Sequence, residues 1–335
     1  MLGDVLKRVS RSFYLSLAIL PRDLREPIGL AYLLARAADT VADTRLIARA
    51  ERLSRLETLR RAYRGEAADV TAAARACAPL QSQAAERILL ERVGEGVARL
   101  EALEAGDRTR VRAVLATLTS GMVFDLTRFP GDDARHIAAL DTEEELDHYT
   151  YLVAGCVGDF WTRMHAAHRP RLAHWDVDAM SRAGVRFGKA LQMTNVLRDV
   201  PHDLAGGRCY LPAHDLAALG VSPADLLTRD GAERARPLYT RLLGVALGHY
   251  DVGWHYTLAI PRREARMRLA CAWPLLIGLG TLAELSAHPS PLTARTSIKL
   301  SRAAVRGILA RSALSVWSNR ALARHAARLR TRISV

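Results

Sequence analysis

The sequence has few aromatic residues, few cysteines and almost no lysine. These scarcities narrow the fold classes and the kinds of site that the chain can form. Aromatic residues make up 6% of the chain, and the abundant Ala, Leu and Arg favour helices over a β-sandwich or barrel. The four cysteines include no pair at metal-ligand spacing, which argues against a zinc site and indicates free, mostly buried thiols in a reducing cytoplasm. Strand-like alternation with hairpin turns is also scarce.

Long apolar runs are missing too. The first ten residues, MLGDVLKRVS, lack the apolar core of a signal peptide. The most apolar window, Leu269 to Leu285, contains Pro274 and Glu284, so it is too short and too interrupted for a membrane span. We expect a buried helix there, and a cytoplasmic protein whose contact with the inner face of the membrane would be peripheral.

Positive charge is what the chain has in excess. Its formal net charge is +13 with only three lysines, so arginine carries nearly all of it. Zinc-finger spacing and RNA-binding aromatic motifs are lacking and the arginines spread along the whole chain, so no nucleic-acid partner is expected. The remaining interpretations are a solvated surface from an arginine-biased genome, phosphate-bearing substrates, or an anionic membrane. Tail arginines that could meet such lipid are Arg311, Arg320, Arg324, Arg328 and Arg330.

Helical periodicity dominates the chain. It predicts helices over 22–43, 46–64, 83–105, 108–126, 142–165, 177–199, 233–258, 262–285 and 300–330. Predicted breaks lie at Gly65, Pro79, Pro130-Gly131, 201–212 and 287–292. None of these breaks resembles a domain linker, so we expect one all-α domain over 1–335, with a basic tail from about 310.

The first candidate site ends the helix predicted at 22–43. In Arg36-Ala-Ala-Asp39-Thr-Val-Ala-Asp43 the two aspartates are four apart and share a face. Like charges at this spacing repel each other, and either water or Mg²⁺ would make the pair acceptable. Mg²⁺ prefers carboxylate oxygens, waters and substrate phosphates. Acids are missing from the apolar stretch of this helix that precedes the pair, Ile28 to Ala38, which favours the metal interpretation over a solvated pair.

The second candidate site has the same spacing over a longer stretch. Asn195, Asp199 and Asp203 lie four apart on one stripe, with Gln192 and Arg198 beside them. Two acidic helix faces with neighbouring arginines would suit a diphosphate, because metal ions bridge carboxylates to phosphate oxygens and Arg neutralises the leaving group. The alternative is again a solvated helix end.

The ordered motifs resemble those of the squalene/phytoene synthase family over roughly residues 5 to 310. Its N-terminal S-R-S-F is similar to Ser10-Arg11-Ser12-Phe13, and its Y-x-x-x-V-A-G-x-V-G to 149–158. The loop after its second aspartate-rich motif is similar to Gly206-Gly207-Arg208-Cys-Tyr210-Leu-Pro212. The resemblance implies a single all-α isoprenoid-synthase domain, a helical bundle around a central apolar cavity.

The resemblance also implies roles for individual residues. Mg²⁺ would be held by Asp39, Asp43, Asn195, Asp199 and Asp203. Arg36, with Tyr149 near the reacting carbons, would join Asp39 and Asp43 in catalysis. The substrate would contact Ser10, Arg11, Ser12, Phe13, Tyr32, Val153, Ala154, Gln192, Arg198 and Arg208. Small residues such as Ala154 and Gly155 would either admit a C15 chain or allow close helix packing.

Three features favour squalene, made from farnesyl diphosphate, as the product. The first motif reads Asp-Thr-Val-x-Asp, the second ends in Gly-Gly-Arg, and 298–305 resembles the basic C-terminal stretch near the reductant site of squalene synthases. Lys299 and Arg302 would then meet an NADPH phosphate, the alternative being an ordinary basic helix start. A loose G-x-G-x-x-A at 278–283 has no surrounding βαβ pattern and gives no Rossmann site.

Departures from the family pattern keep other outcomes open. Ala42 stands where squalene synthases often have an acid, and Ala270 stands where animal squalene synthases carry an aromatic. Pro201 falls inside the second stripe, where it can kink or end the helix. The alternatives are an enzyme that stops at presqualene diphosphate or makes dehydrosqualene or phytoene, and a non-catalytic scaffold. A scaffold should have lost carboxylates from the two motifs, which are intact here.

Overall fold

The protein is helical almost throughout the part of the chain that its computed structural model describes. That part comprises residues 2–9 and 13–334, without the side chains of residues 2–4, 13 and 14. The predicted contacts Ser10, Arg11, Ser12 and the side chain of Phe13 therefore lie outside the described residues.

Helices occupy every long periodic stretch of the sequence. In chain order they are α1 Leu2–Val9, α2 Phe13–Ala18, α3 Arg22–Asp43, α4 Arg49–Arg64, α5 Val70–Arg75, α6 Ala84–Glu91, α7 Val93–Glu101, α8 Ala105–Arg128, α9 Glu143–Thr150, α10 Cys156–His168, α11 Val177–Ala205, α12 Ala213–Ala218, α13 Arg229–Arg234, α14 Arg236–Ala259, α15 Ala265–Ala287, α16 Arg302–Ser315 and α17 Asn319–Arg330. A π-helical turn, Tyr151–Gly155, joins α9 to α10. Two short strands, β1 Ala138–Ala139 and β2 Arg208–Cys209, pair in parallel.

The chain divides into two compact units. Unit 1 comprises Met1–Thr127 and Asp159–Val177, and unit 2 comprises Arg128–Gly158 and Asp178–Val335. Leucines without solvent exposure, such as Leu24, Leu56 and Leu115, form the core of unit 1. In unit 2 the core includes Leu197, Leu242 and Leu276 together with three buried tyrosines of α14. The first acidic motif belongs to unit 1 and the second to unit 2.

Some predicted helices are divided where the chain needs a turn. The helix predicted at 83–105 is interrupted at Arg92, giving α6 and α7. Gly94 and Gly96 follow, and a side chain there would come within 2.9 Å of Thr71 and Leu34. The glycines therefore let α7 approach its neighbours closely and favour helix less than other residues do. Similarly, the helix predicted at 300–330 is divided by a turn before Ser318, whose side chain caps α17.

The break predicted at 201–212 begins too early. The helix α11 continues through Pro201 to Ala205. Proline lacks the amide that would donate to the carbonyl of Leu197. The hydroxyl of Tyr239 in α14 donates to that carbonyl instead, at 3.1 Å, so the helix keeps its geometry past the proline.

The apolar window near residue 270 lies in α15, as predicted. Among the described residues, this is the one helix long and apolar enough to cross a membrane, with a mean hydropathy of 1.5 in its most apolar window. Of that window 67% is buried inside the protein, which is typical of a core helix. Gly278 in α15 lies so close to Tyr250 that an added Cβ would come within 1.8 Å of the hydroxyl, so this glycine serves helix packing.

Candidate functional site

The helix α3 brings the residues of the first motif onto one face in unit 1. Tyr32, Arg36, Asp39 and Asp43 are spaced at four, three and four residues, while the opposite face of α3 is buried. The hydroxyl of Tyr32 donates to the carbonyl of Val9 at 3.2 Å, which anchors the end of α1 to this face. The structure thus brings together these four predicted site residues.

Arg36 is held by two carboxylates. Its guanidinium donates to Asp39 at 2.6 Å and also to Glu86 of α6, whose side chain is largely buried. These partners fix the planar guanidinium, which is suited to bidentate binding of phosphate. Glu86 was not predicted from the sequence, because it lies on a different helix, 50 residues along the chain, and nothing in its local pattern distinguishes it.

Asp39 and Asp43 concentrate negative charge at the end of α3. Burial first, and then repulsion from Asp43, raise the pKa of Asp39 to about 7, against the opposing effect of Arg36. The side chain of Asp39 is still 39% exposed, so water offsets part of this cost. The last turn of α3 contains no basic residue, and the carboxyl end of a helix is itself negative. A cation bound here would relieve both sources of repulsion.

The helix α11 carries the second motif in unit 2. Gln192, Asn195, Asp199 and Asp203 keep partial exposure, whereas residues between them such as Val196 and Val200 are buried. Asn195 donates through its amide nitrogen to Gln192 at 3.2 Å. Among the described residues its amide oxygen accepts no hydrogen bond. The predicted stripe therefore exists as a row of oxygen-bearing side chains.

Arg198 pairs with its neighbour on this stripe. Its guanidinium donates to both oxygens of Asp199, at 2.8 Å and 2.5 Å. Hydrogen bonding to Asp199 is the main cause that raises the pKa of Arg198, although burial opposes it. The result is a cation and an anion placed side by side, which is an arrangement that can bind both a metal ion and a phosphate.

A glycine at the end of α11 positions Arg208. Gly207 has a φ of +79°, a conformation that residues with a Cβ rarely adopt. A Cβ there would also come within 2.9 Å of the carbonyl of Asp133. The carbonyl of Gly207 accepts from Ala138 at 3.0 Å, so Arg208 begins strand β2 beside β1.

Aromatic rings stack beside this strand. The ring of Tyr149 is almost buried and stacks on that of Tyr210 with centroids 4.7 Å apart. Phe129 packs its edge against Tyr210 at 5.0 Å. The sequence motifs contain Tyr210, but only its position beside Tyr149 shows that it supports a candidate catalytic ring. Phe129 carries no motif signal and could be found only from the structure.

The segment from Val153 to Gly158 contains both partly exposed and closely packed residues. Val153 and Ala154 lie in the π-helical turn and keep partial exposure; π-turns are frequent at functional sites. Gly155 faces Val185 and Lys189, and a Cβ on Gly158 would come within 1.8 Å of the carbonyl of Gly184. Close packing against α11 therefore explains these two glycines.

The predicted NADPH contacts are Lys299 and Arg302. Arg302 begins α16, and Lys299 lies just before it. Both side chains are exposed. Neither forms an ion pair with a carboxylate among the described residues.

The carboxylate and amide oxygens of the two motifs are ligands that fit Mg²⁺. Among the described residues no three His, Cys, Asp or Glu side chains converge as a metal site. Mg²⁺ is usually bound by one or two carboxylates, completed by waters and substrate phosphates. The repelled pair on α3, whose mutual repulsion a cation would relieve, matches that requirement, and so does the Asn195-Asp199-Asp203 stripe.

Sequence comparisons find relatives with two kinds of product. The family model for squalene/phytoene synthases matches residues 6–304. A squalene synthase from Eremothecium gossypii is 26% identical over 300 residues, 89% of this chain and 64% of the relative. A phytoene synthase from Thermus thermophilus is 36% identical over 183 residues, 48% of this chain and 60% of the relative. The chain thus spans less than two thirds of either relative.

Solved structures confirm the predicted helical fold. The structure of TcSQS with the ligand E5700 has a TM-score of 0.78 at 22% identity, covering 100% of this chain and 91% of that chain. A dehydrosqualene synthase in complex with ligand has a TM-score of 0.66 at 20% identity, covering 94% of each chain. Both are all-helical isoprenoid-synthase folds.

Proposed function

The chain belongs to the squalene/phytoene synthase family, a family of prenyltransferases, and we propose that it joins two farnesyl diphosphates head to head and reduces the product to squalene. The observation that carries this proposal is the pair of acidic helix faces, each with its own arginine. In the proposed reaction two farnesyl diphosphates condense to presqualene diphosphate, which ionises, rearranges and takes a hydride.

The arginines and acids of the two motifs would handle the diphosphates. Arg36 and Arg198 are oriented by Asp39 and Asp199 and would donate to phosphate oxygens as the leaving group departs. When bound, Mg²⁺ neutralises diphosphate charge, and Asp39, Asp43, Asn195, Asp199 and Asp203 would hold it. Each motif would thus bind a diphosphate.

The apolar and aromatic residues would protect the carbocation. Tyr149 offers a ring face held by stacking on Tyr210, and such a face stabilises a nearby cation. The partly exposed Val153 and Ala154 add an apolar surface that keeps water from the ion.

The reductive half of the reaction would use NADPH. Lys299 and Arg302 are exposed cations without a carboxylate partner among the described residues, which suits them to contact a nucleotide phosphate. NADPH, when bound, supplies the hydride.

A second candidate reaction ends before reduction. Ala270 is buried in α15. It offers no aromatic ring at the position where, by the resemblance, animal squalene synthases carry one. The relatives also include phytoene synthases. Presqualene diphosphate, dehydrosqualene or phytoene are the corresponding products.

The deciding experiment identifies the lipid products. Purified protein is incubated with farnesyl diphosphate and Mg²⁺, with and without NADPH, and the products are identified by mass. Squalene that forms only with NADPH supports the full proposal, and presqualene diphosphate in both reactions limits the protein to the first step. If neither farnesyl nor geranylgeranyl diphosphate releases pyrophosphate, the enzymatic proposal is wrong and the scaffold alternative gains support.

A further inference from the structure

The end of the chain lacks negative charge to balance its arginines. Glu284 is the last acidic residue, and the residues after it include nine arginines and one lysine. This segment therefore has a formal charge of +10, against +13 for the whole chain. Although arginines are spread along the sequence, the excess of positive charge is concentrated in the segment that forms α16 and α17.

An apolar stripe on α16 is left uncovered in this positive segment. The helix buries Ile308 and Ser312 on one side. Its other side carries small or apolar exposed residues at spacings of four and three, and the stripe continues into the turn after the helix: Ala303, Gly307, Ala310, Leu314 and Trp317. Leu314 is 86% exposed and Trp317 is 62% exposed. A Cβ added at Gly307 would meet nothing within 4 Å, so this side of the helix is open.

Exposed arginines border the stripe. Arg306 and Arg311 are exposed on α16, and neither pairs with a carboxylate among the described residues. Arg330 and Arg332 differ, because they pair with Asp251 at 3.0 Å and Glu284 at 2.9 Å. Of the tail arginines expected to contact lipid, Arg330 therefore already has a partner within the protein.

We propose that Leu314, Trp317, Arg306 and Arg311, here called the Trp317 surface, dock onto an anionic lipid bilayer. Tryptophan favours the boundary between headgroups and acyl chains, and leucine gains by leaving water. Arginines at the edges of an apolar helix face pair with lipid phosphates. The Trp317 surface provides all three features together.

Two other occupants match this surface less well. A nucleic acid would satisfy the arginines but would offer nothing apolar to Leu314, which is the most exposed large hydrophobic residue described. A second copy of the chain, in a symmetric dimer, would bring two surfaces of the same positive charge together. A bilayer supplies both the negative charge and the apolar interior.

The test is vesicle binding by the whole 335-residue chain at low salt. We would compare vesicles of phosphatidylcholine alone with vesicles of phosphatidylcholine and phosphatidylglycerol in equal parts. Leu314→Ser with Trp317→Ser should weaken binding to the anionic vesicles at least about tenfold. Arg306→Gln with Arg311→Gln should weaken it about 25-fold, since each arginine near the surface contributes about fivefold. The matched control is Leu46→Ser with Arg75→Gln, which removes a leucine that is 78% exposed and an exposed arginine in unit 1.

A second readout shows whether Trp317 itself enters the bilayer. Lipids brominated on their acyl chains quench a tryptophan that reaches them, and the chain has five tryptophans. The quenching should be lost in Trp317→Phe, which keeps an apolar side chain and therefore most of the binding. Loss of binding in the surface variants with retention in the control supports the proposal.

Several results would overturn the proposal. They are no binding of the unaltered protein to anionic vesicles, equal weakening in the control, and quenching that persists in Trp317→Phe. Salt-sensitive binding to duplex DNA without vesicle binding would assign the arginines to nucleic acid. A dimer that Trp317→Ser dissociates, again without vesicle binding, would assign the stripe to a second copy of the chain.

Discussion

At the scale of single residues, Asp39 and Asp43 place two negative charges at the carboxyl end of α3. Burial and mutual repulsion raise the pKa of Asp39 to about 7, so the carboxylate form is costly in the absence of a cation. This unfavourable pair of charges lies in a helix whose other residues are well packed. Such a local conflict is typical of a functional position rather than of a structural one.

Neutralising Asp39 should therefore separate activity from stability. In Asp39→Asn we expect turnover to fall at least about 100-fold, because metal binding contributes several kcal/mol to stabilising the charge of the leaving group. The free energy of unfolding should stay the same or rise by about 0.3 kcal/mol, since the like-charge repulsion is removed. Pyrophosphate release and urea unfolding measure the two effects. Asp230→Asn, at a site 83% exposed, is the control, and full activity in Asp39→Asn would refute this role.

His165 gives the protein a stability that depends on pH. Burial lowers the pKa of His165 to about 4, while in the unfolded chain the imidazole titrates near 6.5. Between these values the unfolded state binds more protons, so the contribution is complete above about pH 6.5 and is lost as the pH falls towards 4. The loss should reach about 2 kcal/mol at pH 5. Urea unfolding at pH 7 and pH 5 should show a smaller difference in His165→Leu than in the unaltered protein. The exposed His174→Gln should behave like the unaltered protein, and an unchanged difference in His165→Leu would contradict the assignment.

At the scale of helices, α11 depends on a bond from α14. Pro201 lies between Asp199 and Asp203 and removes the amide that would donate to the carbonyl of Leu197. The buried hydroxyl of Tyr239 donates there instead. The hydroxyl of Tyr250 bonds Thr194 on the same helix at 2.8 Å. Two tyrosines of α14 thus hold the segment of α11 that carries the second motif.

Removing the hydroxyl of Tyr239 should cost more than removing a similar hydroxyl elsewhere. In Tyr239→Phe the buried carbonyl of Leu197 loses its donor, and we expect the free energy of unfolding to fall by about 1–3 kcal/mol. Tyr63→Phe is the matched control, because the hydroxyl of Tyr63 also bonds a buried carbonyl, that of Leu34, at 2.8 Å. The amide of Ala38 in the same helix can still bond that carbonyl, so the loss should be smaller.

A double-mutant cycle isolates the dependence on the proline. In a Pro201→Ala background the amide is restored, and Tyr239→Phe should then cost no more than Tyr63→Phe. Equal costs of Tyr239→Phe with and without Pro201 would show that the proline does not create the requirement.

The bounds of helices could be predicted where local pattern decides them. The helix α3 has its predicted bounds because its apolar spacing and polar ends agree with one another. Prediction was wrong at Pro201 and at Arg92, where a contact distant in sequence decides the outcome. Tyr239 sustains α11, and the glycines after Arg92 adapt α7 to residues of α3 and α5. The motifs contain the acids of the candidate site, but Glu86, Phe129 and Tyr239 became evident only from their contacts.

At the scale of the whole molecule, ligand binding should raise thermal stability if both motifs bind diphosphate. The net charge of +13 favours multivalent anions in general, so the test must separate specific from diffuse binding. With Mg²⁺ and pyrophosphate at about 100 times their dissociation constant, we expect about 2.7 kcal/mol of stabilisation. Removing Mg²⁺ with a chelator should abolish most of it, whereas diffuse binding would persist.

Variants of each motif locate this stabilisation. Asp39→Asn and Asp199→Asn should each reduce the shift in Tm with Mg²⁺ and pyrophosphate, while Asp230→Asn should leave it unchanged. A shift reduced by only one of the two variants would restrict diphosphate binding to that motif. The expectation of one domain around a central cavity stays a prediction, since periodicity predicts helices and not how they assemble.

The bond between Tyr239 and the carbonyl of Leu197 also restricts the order in which these positions can change over generations. A lineage that first replaces Pro201 regains an amide donor, after which Tyr239 is free to vary. A lineage that first replaces Tyr239 must pass through a protein whose second motif is weakened. The proline therefore fixes the order of substitution. While Pro201 is present, replacing Tyr239 destabilises the second motif, and once Pro201 has been replaced, Tyr239 can vary.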